Sequence, residues 1–182
     1  FAACQPYVSD SAKLMPPEIF MGRKHELEKI ESASGVNIVY GGRQLGKSAL
    51  LRMAQKDINM NENRDRAILI DLKGLDYRAA ARRISGVLYD EGILKTEHIT
   101  EDWDQLSRDI KNRLRDTSGP DHIPYLLLLM DEADVFIESC EAVDYMPFDA
   151  LKDIQGVGPG RFKFLVAGLR DIVRFKKNIA LS

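Results

Sequence analysis

Apolar residues along the chain fall either into short continuous runs or into stretches with helical spacing. Short runs rich in β-branched, aromatic or leucine residues predict strands over 36–40, 67–72, 125–130 and 162–167. Apolar residues three or four positions apart predict helices over 25–32, 47–58, 77–90, 103–116 and 146–154. Strands that alternate with helices through short connections favour right-handed crossovers and a mainly parallel sheet. The pattern therefore predicts an α/β fold.

The pattern also suggests how the chain is divided. Residues 1–18 contain Pro6, Pro16 and Pro17, which interrupt regular structure, and are predicted to be an irregular lead-in. Residues 19–182 are predicted to form one domain, because a chain of 182 residues can bury one good core. The composition, 45% hydrophobic and 30% charged, is ordinary for a globular domain.

A glycine-rich loop lies between the first predicted strand and the helix after it. The segment GGRQLGKS matches the phosphate-binding pattern G-x-x-x-x-G-K-[ST], the Walker A motif. Glycines allow successive backbone N–H groups to turn inward and form an anion-binding nest at the positive end of the helix. The predicted ATP contacts are Gly41, Gly42, Arg43, Gln44, Leu45, Gly46, Lys47, Ser48 and Ala49.

Two side chains of this loop have distinct predicted roles. Lys47 would contact the β- and γ-phosphates, and the Ser48 hydroxyl would take one coordination position on Mg²⁺. The alternative is a glycine-rich turn before an amphipathic helix. Such a turn has no need of a Lys-Ser pair after its last glycine, so the motif favours a nucleotide triphosphate.

Acidic residues follow the third predicted strand. The run YLLLLMDEAD is typical of a strand buried on both faces of a parallel sheet and ends in three acids within four residues, as in a Walker B motif. Asp131 is the predicted Mg²⁺ partner, and Glu132 is the predicted general base for the water that attacks the γ-phosphate. A core strand that merely ends in surface acids is the alternative.

Together these segments resemble a known family. The sequences IFMGRKHELEKI, VNIVYGGRQLGKSALL, LLLLMDEAD and FKFLVAGLRD are similar to the ATPase core of the AAA+ and STAND group of P-loop proteins, in the additional-strand, catalytic-Glu division. The resemblance covers residues 19–171. It implies a three-layer α/β/α sandwich, an ATPase, and ATP and Mg²⁺ as cofactors.

The resemblance assigns further residues. The F-x-G-R-x-x-E-L box, which covers Phe20 to Leu27 before the first strand, folds over adenine and ribose in that family. The resemblance therefore makes Phe20, Met21, Gly22 and Arg23 candidate base and sugar contacts. A hydrophobic segment packed on the sheet edge is the alternative. Arg170, after the fourth strand, stands where many STAND members carry a basic residue and is the candidate γ-phosphate sensor and catalytic residue. Many AAA+ members have Asn or Thr at the end of that strand, and this chain does not.

The family core normally continues into a fifth strand and a helical lid, which this chain is expected to lack. The resemblance therefore implies a core module of a larger signalling or defence ATPase, with ADP, further C-terminal domains of the same protein and a homo-oligomer as expected partners. The two cysteines have no metal-ligand spacing and no apolar run reaches membrane-spanning length, so a cytoplasmic location without membrane association is expected.

Two other functions stay open from the sequence. Six basic residues near the end of the chain suggest a nucleic-acid-associated ATPase: Arg161, Lys163, Arg170, Arg174, Lys176 and Lys177. The net charge of -2 and the absence of an aromatic-interleaved motif argue against that function. The other alternative is a scaffold that binds ATP, changes shape and hydrolyses little.

Overall fold

The computed structural model of the chain describes residues 24–32, 38–40, 46–95 and 99–168. Within these ranges the chain is an α/β structure with an all-parallel sheet of four strands. The strands are β1 (Ile38–Tyr40), β2 (Arg66–Asp71), β3 (Leu126–Asp131) and β4 (Phe162–Gly168). The helices are α1 (Lys24–Glu31), α2 (Lys47–Met60), α3 (Tyr77–Asp90), α4 (Trp103–Arg115), α5 (Asp134–Cys140) and α6 (Met146–Gln155).

The predicted strands and helices are confirmed, with boundaries shifted by one or two residues. Helix α5 and the 3₁₀ turn Glu141–Val143 after it were not predicted. The apolar part of α5 is the contiguous run Val135 to Ile137, which is too short to display helical periodicity. None of the helices in the described ranges is long and apolar enough to cross a membrane.

The sheet has the strand order β1-β4-β3-β2. Because the strands are parallel, their carboxyl ends meet at one edge, called here the C-terminal edge. The pairing register puts Tyr40 beside Gly168 and Asp71 beside Asp131 at that edge. The last residues are register partners in the pairs β1–β4 and β2–β3, and β4 extends one residue beyond Asp131 of β3.

The two faces of the sheet carry separate cores. Along β3, Leu126, Leu128 and Met130 belong to a core shared with α3, α4, α5 and α6. The alternate residues Leu127 and Leu129 belong to a second core shared with α1 and α2. Every residue of β3 is buried, as expected for a strand covered by helices on both sides. The structure thus has three layers, helix, sheet and helix.

Helix α2 runs antiparallel to the strands on its face of the sheet. Its predicted inward face, Leu50, Leu51, Ala54 and Ile58, is buried as expected. Near its carboxyl end, the Asn59 amide both donates to and accepts from the backbone of Ala67, at 3.0 and 2.7 Å, close to the start of β2. A helix of 14 residues is about 21 Å long, roughly the length of a six-residue strand. The first turn of α2 therefore lies at the C-terminal edge.

Aromatic rings tie the opposite face together. Trp103 of α4 stacks on Phe136 of α5 with ring centroids 5.5 Å apart, and Phe136 meets Phe148 of α6 at 5.3 Å. Phe148 in turn lies 6.4 Å from Phe164 of β4. Rings at these separations contribute about 0.5–1.5 kcal/mol per pair beyond their buried area. This chain of contacts packs α5 between the sheet and its neighbouring helices.

Candidate functional site

The first turn of α2 has the features of an anion-binding helix terminus. Gly46 is the N-cap residue, and its φ of 71° is a left-handed conformation that a side chain would disfavour. Gly46 has no side chain that could cap this terminus, and the first turn contains no acid. Lys47 and Ser48 follow at once, both partly buried. The N–H groups of a first helical turn and the helix dipole favour a negative group at such a terminus.

Asp131 ends β3 on the same side of the sheet. Side chains alternate along a strand, and Leu127 and Leu129 pack toward α2, so Asp131 stands on the α2 face. Its side chain is buried, with 7% relative exposure, and one of its carboxylate oxygens accepts the N–H of Glu132 at 3.0 Å. The first turn of α2 and the Asp131 carboxylate therefore share one face and one edge of the sheet.

Glu132 has a strained backbone. Its φ is 52°, a left-handed conformation that is uncommon outside glycine and costs of order 1–3 kcal/mol. The next residue, Ala133, donates its N–H to Ala167 O in β4 at 2.9 Å. The left-handed residue ends β3 at Asp131. The side chains after Glu132 therefore no longer alternate between the two faces of the sheet. Strain of this kind is concentrated at functional sites.

Several predicted site residues lie outside the described ranges. They are the loop residues Gly41, Gly42, Arg43, Gln44 and Leu45, the box residues Phe20, Met21, Gly22 and Arg23, and Arg170. Their roles stay predictions. The described part of the site consists of Gly46, Lys47, Ser48 and Ala49 on α2 and of Asp131 and Glu132 after β3.

One acidic residue of this edge was missed by sequence reasoning. Asp71 ends β2 and is the register partner of Asp131. It stands on the same face because Ala67, four residues earlier, packs in the α2 core. The signal was available, since the predicted strand AILIDL has an acid near its carboxyl end just as the third strand does. Asp71 is exposed, and its carboxylate accepts the N–H of Lys73 at 2.9 Å.

Two residues of the basic set considered for nucleic-acid binding are part of the fold instead. The Arg161 guanidinium donates to the carbonyls of Pro124, Leu114 and Ile123 at 2.8, 2.6 and 3.1 Å. The remaining four basic residues of that set lie outside the described ranges: Arg170, Arg174, Lys176 and Lys177. Arg161 stabilises the connection that leads into β3 rather than offering a free cationic surface.

Lys163 is the second of these residues and is fully buried, with 1% relative exposure. Its ammonium donates to the carbonyls of Lys29, Ile30 and Ser32 at 2.9, 3.1 and 2.7 Å. Those carbonyls lie at the carboxyl end of α1, where helical hydrogen bonds run out and a cation is favoured. Lys163 therefore anchors α1 to β4. Like Arg161, it is not available to contact a nucleic acid.

We expect Lys163 to make stability depend on pH. Burial lowers the pKa of Lys163 from 10.5 to about 8, so between these values the unfolded chain binds more protons than the folded chain. The free energy of unfolding should then rise with pH from about 8 to 10.5, by on the order of 1 kcal/mol per pH unit, whereas the destabilisation is fully present below pH 8. Urea unfolding of the wild type and Lys163→Met at pH 7 to 10 measures this effect. As the pH rises, the free energy of unfolding of the wild type should increase relative to that of Lys163→Met. A difference between the two free energies that stays constant with pH contradicts the expectation.

Other chemistry-bearing side chains of the described ranges form no second centre. No group of three or more His, Cys, Asp and Glu residues in the described ranges, the acids of the C-terminal edge included, could hold a metal ion. Cys140 is buried among apolar side chains, and burial raises the pKa of its thiol to about 12. A thiol of that pKa stays protonated near neutral pH and is a poor nucleophile. The candidate chemistry is therefore at the C-terminal edge.

The fold and this edge define an α/β protein whose parallel sheet presents acids and the N-terminus of a helix on one face. No protein-family model matches the chain. A search of curated proteins finds no match either.

Proposed function

We propose that the chain is an ATP-binding, Mg²⁺-dependent ATPase core of the AAA+ and STAND kind, within a larger signalling or defence ATPase. The observation that carries the proposal is the common face and edge shared by the first turn of α2 and the Asp131 carboxylate. A phosphate-binding loop and a metal-binding acid have to meet in this way around one triphosphate.

The strand order supports the same proposal. Strand β4 lies between β1, which precedes the glycine-rich loop, and β3, which ends in Asp131. This is the kind of inserted strand after which the additional-strand, catalytic-Glu division is named. In open parallel sheets, ligands bind beyond the carboxyl ends of the strands, which is where both motifs lie.

The described residues fit a magnesium nucleotide. A helix N-terminus that begins at a left-handed Gly46 suits phosphate oxygens, and the Ser48 hydroxyl and the Asp131 carboxylate are the hard oxygen ligands that Mg²⁺ prefers. Ser48 and Asp131 would hold the ion, which when bound neutralises charge that develops on the phosphate oxygens.

Protein side chains carry out phosphate positioning and water activation in this proposal. Lys47 binds the β- and γ-phosphate oxygens and keeps the γ-phosphate in position for attack. The Glu132 carboxylate orients a water molecule toward the γ-phosphorus and accepts its proton as the new P–O bond forms and the bond to the β-phosphate oxygen breaks. Positioning and charge stabilisation of this kind supply most of the catalysis in phosphoryl transfer. Arg170 senses the γ-phosphate, and Phe20 to Arg23 contact the base and sugar.

Binding of ATP to the wild-type chain tests the proposal. We expect Mg²⁺-ATP to bind with a Kd below about 1 mM, which corresponds to about 4 kcal/mol of binding free energy, and expect slow phosphate release. Isothermal titration calorimetry with Mg²⁺-ATP, and with ATP in excess EDTA as the comparison, measures the affinity. A folded chain that shows no heat of binding at millimolar ATP would contradict the proposal, whatever its turnover.

A further inference from the structure

Strained residues stand at both ends of the segment that follows the acids. The segment comprises residues 133–143, that is, α5 with its flanking alanine and the 3₁₀ turn, and is called here the α5 segment. Glu132 precedes it with a φ of 52°, and Asp144 and Tyr145 follow it with φ of 49° and 58°. Left-handed residues other than glycine persist only where surrounding contacts hold them. The segment is thus a short helical unit between two strained joints.

The near end of the segment is attached to the candidate site. It begins directly after Asp131 and Glu132, and the Ala133 N–H donates to Ala167 O of β4. A shift of the Glu132 backbone therefore displaces the start of α5, because one residue separates them.

The far end of the segment is attached to α3. The Ser139 hydroxyl accepts the Tyr77 N–H at 2.8 Å and donates to Phe136 O at 2.7 Å. Tyr77 is the first residue of α3, so this bond satisfies one of the N–H groups that a helix terminus leaves without an internal partner. Ser139 thus joins the last turn of α5 to the start of another helix.

Trp103 reports on the same junction. Its indole N–H donates to Tyr77 O at 2.7 Å, and its ring stacks on Phe136. Both backbone polar groups of Tyr77 are therefore held by neighbouring elements, the N–H by α5 and the carbonyl by α4. Trp103 is the only tryptophan of the chain, so its fluorescence follows this junction alone.

We propose that the α5 segment turns as a unit about its two left-handed joints and transmits the state of the Asp131–Glu132 site to the start of α3 through Ser139. The stimulus, a change in the bound nucleotide, rests on the proposed function. The two states differ in the joints, since each joint can release its strain only by leaving the left-handed region, and that change reorients the helix between them. Ser139 is a positioning residue in this device.

The first test needs no nucleotide. Glu132→Gly removes the strain at the near joint, and Asp144→Gly removes strain at the far joint without touching the site. A glycine adopts the left-handed conformation without strain, so we expect either change to favour the observed position of the segment, to alter Trp103 fluorescence and to lower the exchange rate of the Tyr77 amide, measured by NMR, by about two- to tenfold. In a Ser139→Ala background the further effect of either glycine on the exchange rate of the Tyr77 amide should vanish. Effects that persist without the Ser139 hydroxyl, or no effect of either glycine, overturn the proposal.

The second test adds Mg²⁺-ATP. Wild type and the matched control Ser118→Ala, a change on an exposed loop, should show the same nucleotide-dependent change in the exchange rate of the Tyr77 amide. Ser139→Ala should bind ATP by calorimetry yet lose that change, and an unaltered response in this variant overturns the relay. If calorimetry detects no ATP binding to wild type, the proposed function fails, and the two glycine variants still decide whether the segment couples its joints to α3.

Discussion

Replacing Lys47 by alanine is expected to remove ATP binding and turnover together. Lys47 is the first residue of α2, directly after the left-handed Gly46, so its ammonium is within reach of phosphates bound at that terminus. Loss of one charged contact that stabilises the transition state typically costs about 10²- to 10³-fold in rate. Calorimetry with Mg²⁺-ATP and a phosphate-release assay measure the two losses on the same preparation.

The matched control is Lys56→Ala. Lys56 is an exposed lysine of the same helix, nearer its carboxyl end and therefore away from the C-terminal edge of the sheet. It removes the same charge without touching the proposed phosphate contacts, so binding and turnover should stay at wild-type values. Equal thermal unfolding of the two variants shows that neither result reflects misfolding. If Lys47→Ala binds ATP as tightly as Lys56→Ala does, the glycine-rich loop does not bind a triphosphate.

Glu132→Gln is expected to abolish turnover and to leave binding intact. The amide has the shape of the carboxylate but cannot accept the proton of the attacking water, and a general base typically contributes about 10²- to 10⁴-fold to the rate. The change keeps a side chain at the left-handed position, so the strain of that joint stays in place. Steady-state phosphate release gives the loss in turnover, and calorimetry gives the retained affinity.

Glu138→Gln supplies the comparison for this variant. Glu138 is an exposed acid of α5, six residues farther along the chain, and its replacement removes one negative charge from the same region. ATP turnover by Glu138→Gln should equal that of the wild type. Should Glu132→Gln also turn over at the wild-type rate, Glu132 is not the base, and the alternative of a nucleotide-dependent scaffold becomes the better description.

The two variants together separate the possible failures. Loss of binding in Lys47→Ala with loss of turnover alone in Glu132→Gln assigns phosphate binding and water activation to different residues. If neither variant differs from wild type in binding or turnover, the shared edge of α2 and Asp131 has no catalytic role. The pattern across the pair is more informative than either variant alone, because a general loss of stability lowers both activities equally.

Sequence reasoning succeeded where the structure depends on near neighbours. The helix face of Leu50, Leu51 and Ala54 and the buried run that ends in Asp131 were predicted and are confirmed, since periodicity is a local property of the chain. It missed α5, because seven residues with one apolar run show no helical period. It also missed Asp71, although the acid near the carboxyl end of AILIDL is visible in the sequence, because only strand pairing places it beside Asp131.

The basic residues near β4 illustrate a different failure. Arg161 and Lys163 looked like surface charge because basic residues usually are solvated. In the structure both donate to backbone carbonyls, and Lys163 is buried beneath the carboxyl end of α1. A lysine can occupy such a position only where several unpaired carbonyls converge, and that convergence involves residues more than a hundred positions away in the chain.

The sequence by itself determined the α/β rhythm, the position of the glycine-rich loop before α2 and the acids after β3. These features follow from local spacing, from glycine's freedom at positive φ and from the side chains that phosphate chemistry favours. Only the tertiary structure decided the strand order, the common face of Asp131 and α2, and the attachment of α5 to α3 through Ser139. Strand pairing and side-chain contacts join residues far apart in the chain, and burial of two sheet faces selects among the pairings that local pattern allows.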